Sequence, residues 1–233
     1  MSSKHQPFVR SNRLRFSLLL LSLIAAVVVG PLFENAAFGQ YLQLAFLTLV
    51  FASSVYTNWN RHVMVWVILT VAIIGLSLHW ASLFYPGGGV SIAKFIGGFV
   101  FLGMTAFLLL KSIFVEFQAK PDALLGAVCV YLLLGFMWAL GYSALIYIEE
   151  TPFYFPDIDL AADDHPHLST FLYFSFVTMS TLGYGDILPT SDLSRTLAWL
   201  QSVTGQFYLA VLVAYLVNML PNSPGGSPAE PKP

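Results

Sequence analysis

Charge is scarce in this sequence: 9% of its 233 residues are Asp, Glu, Lys or Arg. Soluble domains carry about 25%, so most of this chain is not built to face water. Cysteine is scarcer still. Cys129 stands alone, which excludes a disulfide within one chain, and its place in an apolar run reads as a small buried side chain. The patterns that mark common enzymes are missing too. The chain has no Gly-x-Ser-x-Gly elbow, no His-x-x-x-His ligand pair and no membrane-embedded acid pair. Gly87–Gly89 lacks the Lys and Ser/Thr of a phosphate-binding loop and reads as a turn. Neither an enzyme nor a cofactor site is expected.

What is present is apolar sequence, 57% of all residues. A helix crossing the hydrocarbon layer needs roughly 20 such residues. Six runs qualify, at about 16–33, 40–57, 62–84, 92–115, 122–148 and 193–220. The first exceeds the usual apolar length of a secretory signal and is read as a span that ends near Pro31.

The few charges are sorted by loop. Lys4, Arg10, Arg13 and Arg15 precede the first span, Arg61 follows the second, and Lys111 and Lys120 lie at the end of the fourth and between it and the fifth. Cytoplasmic loops collect Lys and Arg, which puts both termini on the cytoplasmic side of the plasma or inner membrane. The opposite side holds Glu34, Glu149, Glu150, Asp157, Asp159, Asp163 and Asp164, with Lys94 and Arg195 as basic exceptions. The segment from Asp157 to His167 reads as an acidic turret that concentrates cations. Metal binding there, or proton sensing by His165 and His167, are the alternatives.

Five segments follow: a cytoplasmic N-terminus at 1–15, a four-helix layer at 16–115, a linker at 116–121, a different unit at 122–220 and a Pro/Gly/Ser tail at 221–233. Pro121 suits a helix start. The tail cannot bury enough apolar surface to fold. Within 122–220 a short apolar segment at about 168–180 is too short to cross a bilayer and reads as re-entrant. Pro166, Ser169 and Thr170 suit the start of a helix there. It leads into T-L-G-Y-G-D at 181–186. Non-helical backbone at membrane depth needs protein or a watery cavity around it.

That string has a chemistry. A potassium ion sheds water only where other oxygens replace it, and a ring of backbone carbonyls can do so. Successive carbonyls share one direction only if alternate residues take unusual dihedrals, and glycine reaches positive φ without steric cost. Gly183 and Gly185 occupy alternate positions. Thr181 adds a hydroxyl.

T-x-x-T-x-G-Y-G is the signature of potassium channels, and Thr178, Thr181, Gly183, Tyr184 and Gly185 fill every fixed position, so the region resembles that family. The T-V-G-Y-G loops of those channels are the standard example of carbonyl selectivity; here Leu182 replaces Val. The resemblance implies an all-α integral membrane protein with six transmembrane helices, a re-entrant pore helix and a filter loop. It implies a homotetramer in the lipid bilayer, with K+ as the permeant ion held by oxygens of Thr181, Leu182, Gly183 and Tyr184, and Gly185 completing the filter. Thr178, Tyr173 and Asp186 would support it, although Tyr173 falls where many relatives have Trp. Gly205 would be the inner-helix hinge; close packing against a neighbour is the alternative. Thr204, Tyr208 and Leu212 follow one helical face at four-residue spacing.

One absence narrows the gating mechanism. A voltage sensor moves several charges through the field, yet the fourth span has only Lys94 and Lys111, near opposite ends. These read as snorkelling anchors. The expected function is a potassium channel that is not gated in the usual voltage-dependent way. A potassium-translocating transporter subunit and a less selective cation channel are the alternatives.

Overall fold

The computed structural model describes residues 9–33, 38–57, 62–85, 87–115, 121–156 and 166–218. The turret residues 157–165, the linker residues 116–120 and the tail lie outside them. Helix dominates. The first helix, α1 (Val9–Ile24), continues through a π-helical stretch (Ala25–Val29) into a last turn, α2 (Gly30–Leu32). Pro31 explains the irregularity: it has no N–H to donate and its ring displaces the carbonyl one turn back, which a π-bulge accommodates. Then come α3 (Gly39–Thr57), α4 (His62–Phe84), α5 (Gly88–Val115), α6 (Pro121–Leu145), α7 (Leu168–Met179) and α8 (Asp192–Asn218).

Five of the described helices are long and apolar enough to cross a membrane, and the apolar segment Tyr41–Thr57 of α3 is shorter. The outer boundaries differ from expectation in three places. Val9 begins α1 seven residues early, because the basic N-terminal residues continue the helix beyond the apolar run. Gly88 and Gly89 are helical rather than a turn: the Ser91 N–H already donates to the Gly87 carbonyl. The end of α6 comes three residues early, where Tyr147 and Ile148 donate to carbonyls three residues back and tighten the chain into turns.

The helices pack around α6, which contacts α1, α5, α7 and α8; α3 and α4 lie further out. Leu133, Phe136 and Tyr142 of α6 are fully buried. Glycines let α5 and α6 approach closely. A side chain at Gly98 would meet Leu140 at 2.7 Å, and one at Gly103 would meet the Met137 sulfur at 3.0 Å. Small residues serve this purpose at membrane helix interfaces. Cys129 is buried, with its thiol 3.6 Å from the Phe16 carbonyl.

Two elements among the described residues are not helical. In the short strands β1 (Phe153–Tyr154) and β2 (Leu188–Pro189), Phe153 pairs with Pro189 and Tyr154 with Leu188 in an antiparallel ladder. Thr190 extends it: its N–H donates to the Pro152 carbonyl at 3.0 Å and its hydroxyl to the Thr151 carbonyl. This ties the chain returning from 181–186 to the end of α6.

Candidate ion-conduction site

The site begins at the C-terminal end of α7. The Leu182 N–H donates to the Val177 carbonyl at 2.9 Å, and the Thr181 N–H donates to the Thr178 carbonyl at 3.0 Å. These two bonds are a Schellman cap, whose first non-helical residue must be left-handed. That residue is Thr181, with φ 58°, the one non-glycine with positive φ among the described residues. Left-handed backbone costs an L-residue roughly 1–2 kcal/mol. Glycine is usual here, so a β-branched residue in this place is held against its preference.

From there every second residue is left-handed: Thr181 at 58°, Gly183 at 57° and Gly185 at 80°. The two glycines were expected from their spacing. Thr181 was not, because β-branching gives no sign of positive φ. The stretch is nearly free of the rest of the chain. Nothing lies within 4 Å of where a side chain would begin at Gly183 or Gly185. Leu182 is 55% exposed and Tyr184 65%.

The outer end is braced from α7. Tyr173 donates from its hydroxyl to Asp186 Oδ2 at 2.6 Å, and Asp186 Oδ1 accepts the Ile187 N–H at 3.0 Å. The Tyr173 ring lies parallel to that of Tyr184, 6° between planes and 6.2 Å between centres. The hydrogen bond holds the Asp186 carboxyl below its ordinary value and pushes the Tyr173 phenol up to about 12. Thr178 takes part through its backbone carbonyl, in the cap.

The inner end is braced from α8. A side chain at Gly205 would meet the Met179 Cγ at 2.5 Å and its carbonyl oxygen at 2.6 Å. Gly205 therefore sits at a point of contact between α8 and the end of α7. One turn earlier, Gln201 reaches the same helix. Its amide donates to the Ser175 hydroxyl at 2.6 Å and the Ser175 carbonyl at 3.0 Å, and its oxygen accepts the Tyr142 hydroxyl at 2.6 Å. Neither Gln201 nor Ser175 was singled out from the sequence. The available signal was an amide in an apolar stretch of α8 and a hydroxyl inside the short apolar α7.

Further along α8, the Tyr208 hydroxyl donates to the Ala127 carbonyl at 2.6 Å and that of Tyr215 to the Ile113 carbonyl at 3.0 Å. Thr204, Tyr208 and Leu212 border an apolar cavity of about 420 Å³ between α5, α6 and α8. Their face thus turns toward the other helices. Gln206, Leu209 and Val213 lie on exposed positions of the same helix.

Residues 125–222 match the family described as "Ion channel". The chain is also similar to the voltage-gated potassium channel Kch of Escherichia coli (strain K12), 31% identical over 182 residues, which is 77% of this chain and 35% of that protein. The chain thus spans about a third of the length of this curated relative. The filter motif lies inside both the matched domain and the braced, left-handed segment. The ion-channel domain and the similarity to a potassium channel together support placing the chain with potassium channels.

Proposed function

We propose that this chain is one subunit of a potassium-selective channel that conducts K+ passively through a homotetrameric pore. The observation that carries the reading is the alternation of left-handed residues at Thr181, Gly183 and Gly185. It is the backbone pattern that a column of aligned carbonyls requires. Oxygens of Thr181, Leu182, Gly183 and Tyr184 would take the place of the ion's water, as in the carbonyl filters of this family. The adjoining C-terminal end of α7 carries partial negative charge, which favours a cation nearby.

The same stretch supports an oligomer. One subunit leaves residues 180–186 exposed, and a single filter loop cannot enclose an ion. Four copies around one axis would cover Leu182 and Tyr184. They would leave the α8 face of Gln206, Leu209 and Val213 toward the shared path. The domain reading keeps its expected form: a peripheral layer at 16–115 and a pore unit at 122–220, six spans in all, with α3 the shortest crossing. Both termini would lie in the cytoplasm.

Gating is proposed to differ from ordinary voltage sensing. The relative is voltage-gated by name, but α5 of this chain carries Lys94 and Lys111 and no arginine. Replacing Gly183 with Ala tests the filter. A residue with a Cβ disfavours φ 57°, so selective flux should be lost; unchanged selective flux would reject the filter assignment.

A further inference from the structure

Within its own chain the filter is held mainly at its ends. Side chains beginning at Gly183 and Gly185 would touch nothing within 4 Å, so the path of 181–185 depends on where its two anchors sit. The outer anchor is the Tyr173–Asp186 bond. The inner anchor is the contact between α7 and α8.

That contact has two rungs. Gln201 meets Ser175, and one turn on, Gly205 meets Met179. Both helices advance by four residues between rungs, so they run alongside each other in the same direction. The lower rung ends two residues before Thr181. Packing alone would be content with a leucine at 201. Instead the position holds an amide with 0% exposure, against a serine and a tyrosine that are also 0% exposed. Every polar atom of that amide is used. The Ser175 hydroxyl in turn donates to the Gly135 carbonyl at 2.6 Å. One side chain therefore joins α6, α7 and α8. A satisfied buried polar network admits one alignment of its members, whereas an apolar contact tolerates sliding. A shift of α8 by one residue would strand the amide and the Tyr142 hydroxyl without water, while the Ser175 hydroxyl would keep only its bond to Gly135.

We infer that Gln201 is a positioning residue for ion selection: through Ser175 it fixes the register of α8 on α7, and so places Thr181 and the filter that follows. The inference rests on the potassium-filter reading above. It adds that α8 movement and filter geometry are linked through this amide.

The test uses the assembled protein in liposomes, with K+ and Na+ flux measured side by side. Gln201→Leu keeps size and loses the network. The K+/Na+ flux ratio should fall about tenfold, the equivalent of about one buried hydrogen bond, while the protein still assembles. Adding Tyr142→Phe removes the stranded hydroxyl. It should recover thermal stability but not the flux ratio, which separates positioning from simple packing. An unchanged ratio in Gln201→Leu, or a ratio restored by Tyr142→Phe, would overturn the inference. If Gln201→Leu fails to assemble, Ser175→Ala decides: a lowered ratio supports the role and a wild-type ratio overturns it. Wild-type protein that passes both ions equally overturns the filter reading, and this inference with it.

Discussion

The Tyr173 hydroxyl donates a 2.6 Å hydrogen bond to Asp186 Oδ2, so the middle of α7 grips the chain just beyond the filter. The same Tyr173 ring stacks parallel to Tyr184 inside the filter. Substitution separates the two contacts. Tyr173→Phe keeps the ring and loses the donor; Tyr173→Trp keeps a ring and restores an N–H. Because the pair is exposed, the effect should be modest, about twofold to fivefold. Tyr173→Phe should shorten K+ conduction by that factor after external K+ is lowered, and Tyr173→Trp should not. Equal durations for Phe and wild type would show that the bond does not brace the filter.

The same bond sets a pH window. Asp186 has a depressed pKa, chiefly from the Tyr173 hydrogen bond. Its contribution is complete above the ordinary carboxylate pKa and is lost as pH falls through the depressed value. Tyr173 has a raised pKa of about 12, chiefly from the bond to Asp186. Its contribution is complete below about pH 10 and is lost as pH rises through the raised value. Filter lifetime governed by this pair should therefore be flat from about pH 5 to about pH 9. Flux measured against external pH checks this. A transition between about pH 6 and pH 7 would place the sensitive group outside the pair.

The left-handed cap at Thr181 makes a prediction about stability. Glycine accepts φ 58° without strain and alanine does not. Thr181→Gly should be more stable than Thr181→Ala by about 1 kcal/mol. Both lose the hydroxyl, so the comparison isolates the backbone. Thermal denaturation of the assembled protein in detergent measures it. Equal midpoints would contradict the left-handed conformation.

Gly205 separates two roles. Alanine in a free helical position gains about 1 kcal/mol over glycine. Here its methyl would press on the Met179 carbonyl, 2.6 Å away, and backbone cannot easily give way. Overpacking costs about 1–3 kcal/mol, so Gly205→Ala should give no net gain and be destabilising by up to about 2 kcal/mol. A gain in denaturation midpoint would favour a hinge without steric constraint over a packing point.

Local sequence carried much of this architecture. The bounds of α4, His62–Phe84, match the apolar run at 62–84. The short α7 stood out because an apolar segment of its length cannot cross a bilayer. Two glycines at alternate positions announced unusual backbone. What local sequence did not carry are relations across distance. Gln201 finds Ser175 26 residues away, and β1 finds β2 only once α7 has folded back. Thr181 is a different case: its conformation is imposed by the end of α7 against its own preference, so its residue type points the wrong way. Gly205 was legible as special, but helix spacing alone does not tell a hinge from a close contact.

Potassium selection by the segment 181–185, as proposed, has a direct electrical signature. The direct measurement is the reversal potential of purified wild-type protein in a lipid bilayer, with K+ on one side and Na+ on the other. A potential that tracks the K+ gradient is the predicted result. A reversal potential near zero, with equal K+ and Na+ permeability, would contradict it.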